Sequence, residues 1–257
     1  MKLKYFTLLI VLFYGISGIS QEMKKGFAYL DTEKYQEAEI FFKRILEKYP
    51  TNKTAKLCYG RAVGLNGNPE EATTLLSRLL GDFPNDFEVK LSYAESLLWS
   101  QQYTSAERYY KKLVREDSLS FPALLGYANT LSNLQKFDNA IFYVDKALAV
   151  LPGNQNALIS KKHIRLGLAN NQLKAQKFTE SENLLKENFT DFKNDKETLL
   201  NLANLYLNSN QIDKAKKTYE IIGENPADRI TSLNGISLAY HLDTNNKQAL
   251  LISEKAK

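Results

Sequence analysis

Apolar residues along this chain fall in short stripes of helical period, broken by polar turns at regular intervals. The stretch 121–154, FPALLGYANTLSNLQKFDNAIFYVDKALAVLPGN, shows the pattern most plainly. In its first half Leu124, Tyr127, Ala128 and Leu131 stand at i, i+3, i+4 and i+7, one face of a 3.6-residue helix. In its second half Ala140, Tyr143, Val144, Ala147, Leu148 and Leu151 repeat that spacing. Gln135-Lys136 forms a polar break between the runs, and Pro152-Gly153-Asn154 closes the stretch. The pattern predicts two packed helices. Ala128 and Ala140 are small enough for a close crossing. Asp138 or Asn139 is placed to cap the second helix, and Pro152 to stop it.

The same 34-residue block recurs, with starts at residues 19, 53, 87, 121, 162, 196 and 230. Position 8 of the block is Gly26, Gly60, Ala94, Ala128, Ala169, Ala203 and Ser237. Position 20 is Ala38, Ala72, Ala106, Ala140, Ser181, Ala215 and Ala249. Position 24 is Phe42, Leu76, Tyr110, Val144, Leu185, Tyr219 and Ser253, and Pro50, Pro84 and Pro152 share position 32. Fixed self-similarity at this period marks a helical solenoid, in which each repeat packs on its neighbours.

In these positions the chain resembles the tetratricopeptide-repeat family from about residue 19 to its end. The resemblance implies an all-α, right-handed solenoid of helix-turn-helix repeats, six whole and one partial. The departures from the pattern are specific. A bulky residue often stands at position 4; here Glu22, Lys56, Lys90 and Arg165 occupy it in four repeats. Ser118, Lys193 and Ala227 replace the proline of position 32 in three.

Residues 1–20 read as a targeting segment. Lys2 and Lys4 precede an apolar run from Tyr5 to Tyr14, and Gly18 and Ser20 are the small residues a signal peptidase requires. Cleavage is expected before Gln21, leaving residues 21–257 as the solenoid. An uncleaved anchor is the alternative, but the apolar run falls short of the roughly 20 residues that span a bilayer. Export changes the charge. Two of the 34 basic side chains lie in this segment and no acid does, so 32 cations face 29 acids, a net +3. That balance, with no basic stripe, disfavours nucleic acid as a partner.

Several local features stand out. Cys58 is the sole cysteine, so no intrachain disulfide forms. It reads as a small apolar side chain between helices, or alternatively as a reactive thiol. Trp99 is either a groove contact or packing against the neighbouring repeat. Residues 155–161 are seven extra, close to two helical turns, and lengthen one helix to about Asn156–Leu173 without rotating its face. The added turns are expected to project, with Lys161, Lys162 and Arg165 forming a basic ridge. The last repeat stops at position 28 with no polar capping helix. Either the chain continues in a longer protein, or a partner or second copy covers Ile236, Ala239, Tyr240 and Leu250.

Catalytic chemistry is not evident. His163 and His241 are the two histidines, and neither has the spaced companions of a metal site. No glycine-rich phosphate loop and no Gly-x-Ser-x-Gly elbow occur. No enzyme activity, cofactor or metal is expected. The resemblance implies instead a concave groove lined by the first helices, with contacts at positions 5, 9 and 12. Position 9 supplies Phe27, Arg61, Glu95, Asn129, Asn170, Asn204 and Leu238. Position 5 is Met23, Leu57, Leu91, Leu125, Leu166, Leu200 and Asn234, with none of the lysines of a carboxylate clamp, so that clamp is not expected. The groove residues read for a protein or peptide partner are Asn129, Asn170, Asn204, Arg61, Glu95 and Trp99. The function expected is a non-enzymatic scaffold in the periplasm or cell envelope, any membrane association being indirect. The alternative is an N-terminal docking arm of a longer outer-membrane or secretion protein. Self-association through the uncapped end is a third reading.

Overall fold

The computed structural model describes residues 17–256, and all regular structure among them is helical. The expected targeting segment lies, over residues 1–16, outside the described residues. The helices are α1 (Ser17–Asp31), α2 (Tyr35–Lys48), α3 (Lys53–Leu65), α4 (Pro69–Asp82), α5 (Phe87–Trp99), α6 (Tyr103–Glu116) and α7 (Phe121–Asn133). They continue with α8 (Phe137–Val150), α9 (Gln155–Lys174), α10 (Phe178–Asp191), α11 (Lys196–Asn208), α12 (Ile212–Gly223), α13 (Arg229–Leu242) and α14 (Asn246–Lys255). A short 3-10 turn at Pro226–Asp228 precedes α13. The helices fall into two compact blocks, one ending at Ser118 and the other beginning at Leu119. In the N-terminal block each helix packs on the next, and the first helices α1, α3 and α5 also touch. In the C-terminal block the same holds from α7 to α14, with α7, α9 and α11 as packed neighbours. Among the described residues no helix is long and apolar enough to cross a membrane.

The repeat register is visible in the backbone. Position 15, the turn inside each repeat, has positive φ in all seven: Glu33, Gly67, Gln101, Gln135, Gln176, Asn210 and Thr244. Only one is glycine, the residue best suited to that conformation. The helix crossing of the same repeat is tight. Ala128 and Ala140 are both fully buried there. Where serine replaces the small residue, its hydroxyl spans the crossing. Ser181 Oγ donates to the Ala169 carbonyl at 2.8 Å, and Ser237 Oγ donates to that of Ala249 at 2.7 Å. Aromatic pairs at positions 7 and 23 brace the same helices, Tyr93 with Tyr109 and Tyr127 with Tyr143.

The charged residues at position 4 have partners 26 residues on, at the far end of the same repeat's second helix. Glu22 pairs with Lys48, Lys56 with Asp82, Lys90 with Glu116 and Arg165 with Asp191. In repeat four both positions are apolar, Leu124 and Val150. The first three pairs have well-exposed members and each contributes only about 0–1 kcal/mol. A second tie runs from the first residue of a repeat to the acid at its last position, which caps the next helix. Lys53 reaches Asp86 at 2.5 Å and Lys162 reaches Asp195 at 2.9 Å. Both acids also cap, accepting from the Val89 and Thr198 amides.

Three sequence expectations are corrected. Asp138 and Asn139 do not cap α8: its N-cap is Lys136, with no side-chain cap, and both residues lie inside the first turn. There is no basic ridge on α9, which spans 20 residues against 13 in α7. Lys161 pairs with Asp145 at 2.6 Å, Lys162 with Asp195, and Arg165, 8% exposed, with Asp191 at 2.6 Å and Glu187 at 3.0 Å. The added turns lie on α8 rather than projecting, and Ala157 is fully buried. At the C-terminal end Ala239 is buried and Ile236 and Tyr240 are partly covered by this chain. Ile236 packs on the Tyr219 cluster, and Lys216 lies 4.6 Å from the centre of the Tyr240 ring. Of the four residues named, only Leu250 is exposed, and the apolar surface left open at this end is made instead by Leu238, Leu242, Leu250 and Leu251.

Candidate functional site

Within the N-terminal block the first helices enclose a cleft of about 510 Å³. Its apolar wall comes from Phe27 and Leu30 of α1 and Leu57 and Leu65 of α3. Glycine at position 8 makes this wall possible. A Cβ on Gly26 would lie 2.5 Å from the Phe42 ring, and one on Gly60 would lie 2.8 Å from Leu76. Leu57 follows from the apolar stripe of α3, whose start is fixed by Asn52 accepting from the Ala55 amide at 2.9 Å.

Two sequence-read residues meet beside this cleft. Arg61 of α3 and Glu95 of α5 form an ion pair at 3.5 Å, both largely buried. Glu95 chiefly holds the guanidinium above its ordinary pKa, against burial. One oxygen of Glu95 is buried with no hydrogen-bond partner. Lys53 and Asp86 line the cleft as a pair. Burial raises the Asp86 carboxyl, but the Lys53 hydrogen bond and the Val89 amide outweigh it, and the pKa lies below the usual range. Burial pushes the Cys58 thiol up to about 12, with nearby Arg61 opposing. That is the inert, packed cysteine of the two readings.

Trp99 lies elsewhere. A Cβ on Gly64 would come within 2.6 Å of its indole, so the ring rests on α3 beside Ala72. The ring packs between neighbouring repeats and remains partly exposed.

In the C-terminal block Asn129, Asn170 and Asn204 occupy the successive first helices α7, α9 and α11. Asn129 and Asn170 are half-buried and Asn204 is exposed. The Asn204 side-chain oxygen accepts from Asn208 Nδ2 at 2.9 Å, and the Asn129 carbonyl accepts from Asn133 Nδ2 at 2.9 Å. Each asparagine carries donors and an acceptor.

Between α9 and α10 lies a polar layer that the sequence reading missed. Asn188, fully buried, stands at position 27, where other repeats place Ile45, Leu79, Leu113, Ala147 and Ile222. Its Nδ2 donates to the Lys162 carbonyl at 2.9 Å, and its Oδ1 accepts from Arg165 Nη1 at 3.4 Å. The signal was present as two simultaneous departures in one repeat, Arg165 at position 4 and Asn188 at position 27.

Paired helices with a shared crossing register, stacked through their first helices, define an α-helical repeat protein of the solenoid class. Family models described as tetratricopeptide repeat match residues 29–95, 121–152 and 172–233. The chain belongs to the tetratricopeptide-repeat family. Among curated proteins none matches it. Solved structures share the fold at low identity. A tetratricopeptide repeat protein from Parabacteroides merdae is 18% identical, with a TM-score of 0.58 over 92% of this chain and 91% of that one. MamA is 17% identical, with a TM-score of 0.52 over 66% and 89%. YrrB, described as a TPR protein with an unusual peptide-binding site, is 18% identical, with a TM-score of 0.50 over 70% and 90%.

Proposed function

We propose that this chain is an exported, non-enzymatic scaffold of the cell envelope that holds a peptide segment or helix of a protein partner along its first helices. The observation that carries the reading is the run of asparagines on three packed neighbours, Asn129, Asn170 and Asn204 on α7, α9 and α11. An amide pairs with a peptide backbone whatever the side chains, so a row of three suits an extended segment. Membership of a family built for protein binding supports it. The envelope setting rests on the basic-apolar N-terminal segment with Gly18 and Ser20.

The test is the triple Asn129→Ala, Asn170→Ala, Asn204→Ala variant against a partner captured from envelope extract. Lys111→Ala and Lys217→Ala, both exposed, are the controls. Each lost bond contributes about 0.5–1.5 kcal/mol, so the triple variant is expected to bind about one to three orders of magnitude more weakly. Unchanged affinity in a folded triple variant removes this wall from the site. N-terminal sequencing from the native host tests export, with Gln21 expected as the first residue.

A further inference from the structure

The charges of the N-terminal cleft are not balanced. Its two cations are both engaged: Lys53 with Asp86, and Arg61 with Glu95 behind it. Its other two carboxylates, Asp31 and Glu88, line the cleft with no ion-pair partner among the described residues. Both residues are reachable from solvent, Glu88 with its carboxyl partly desolvated against the cleft. The apolar wall of Phe27, Leu30, Leu57 and Leu65 stands beside these two acids. A surface that offers anions and an apolar recess together complements a segment carrying a cation next to an apolar side chain. The state of Glu88 agrees. Desolvation raises its carboxyl above the ordinary value, Arg61 opposes, and Glu95 and Asp86 raise it further, so an added cation there relieves repulsion.

We infer that the cleft between α1, α3 and α5 is a binding site for a basic-apolar peptide segment, with Asp31 and Glu88 receiving lysine or arginine and the Phe27–Leu57 wall receiving the apolar neighbour. The inference rests on the protein-binding reading above, but places a second site in the other block with its own ligand chemistry.

Fluorescence polarisation on the full mature chain tests it. The probe is a labelled peptide of alternating lysine and leucine with glycine ends. Two comparison peptides carry glutamate in place of each lysine, and serine in place of each leucine. The lysine–leucine peptide is expected to bind saturably, with affinity falling as salt rises, and the glutamate peptide not to bind. The serine peptide is expected to bind about tenfold more weakly. Asp31→Asn and Glu88→Gln together are expected to weaken the lysine–leucine peptide about three- to tenfold. Both sites are exposed, and an unchanged melting curve confirms that the variant is folded. The asparagine triple variant is expected to leave this binding unchanged. Equal binding of the lysine and glutamate peptides, no saturation by about 1 mM, or full affinity in the Asp31/Glu88 variant overturns the inference. In each of those cases a partner that still depends on Asn129, Asn170 and Asn204 leaves the scaffold reading standing.

Discussion

Replacing the Arg165–Asn188 layer is expected to be harmful one residue at a time and tolerated when both change. Arg165 is 8% exposed and Asn188 not at all, so neither is compensated by water if its partner is lost. Arg165→Leu leaves the Asn188 oxygen without its donor in a buried site. The Arg165 carboxylate partners are about half exposed and return to solvent, so no charge is stranded. A cost of about 1–2 kcal/mol follows from one unsatisfied neutral acceptor. Asn188→Leu removes the bond to the Lys162 carbonyl and sets methyl groups against a desolvated guanidinium, at about 1–3 kcal/mol. The double variant recreates an apolar layer like that of repeat six. There Leu199 and Ile222, each 3% exposed, pack in one cluster with Ala203 and Tyr219. Buried polar pairs exchanged for apolar residues of similar volume are commonly neutral or stabilising. The double variant should therefore lie within about 1 kcal/mol of the parent, giving a coupling of about 2–4 kcal/mol. Urea unfolding supplies the midpoints, and native-state hydrogen exchange of α9 and α10 supplies the local values, since repeat arrays open locally. Additive single costs in the double variant would show that the two side chains do not act as a unit.

Three other outcomes follow from the same structure. Ala140→Phe is expected to cost about 1–3 kcal/mol or more by overpacking the helix crossing, while Lys111→Phe on an exposed face costs little; equal melting temperatures contradict the register. Thr244→Gly is expected to raise stability by about 1 kcal/mol, because a β-branched residue is held at φ 59° there, and a lowered melting temperature contradicts it. With its thiol at about 12, Cys58 should be only about one part in ten thousand thiolate at pH 8 and should react with Ellman's reagent on unfolding alone; rapid labelling of the native chain contradicts its burial.

The helix pairs and their register were legible because the small residues at positions 8 and 20 recur in every repeat. The charges were not legible in the same way. Reading α9 alone shows Lys161, Lys162 and Arg165 as a cationic run; their acids are Asp145 on α8, Glu187 and Asp191 on α10, and Asp195 at the cap of α11. A helical stripe has no term for a partner 26 residues away. The signal existed in the sign reversal of repeat one, where Glu22 at position 4 meets Lys48 at position 30. The cap of α8 was misplaced because the turn at Gln135 lets the helix begin directly after Lys136. Of the groove residues, Arg61 and Glu95 proved to be partners of each other, which spacing within one helix could not reveal. The cleft itself draws on α1, α3 and α5, and its excess of acid appears only when the three are brought together.

The central claim is that a polypeptide partner lies on the first helices of the C-terminal block. Site-specific photo-crosslinking in the native host tests it most directly, with a benzophenone side chain at Asn204 on α11 or at Lys217 on α12, both exposed. A discrete crosslinked polypeptide is expected from position 204, absent from position 217 and lost when Asn129 and Asn170 are also changed to alanine. Crosslinks from position 217 alone, with none from 204, would contradict it.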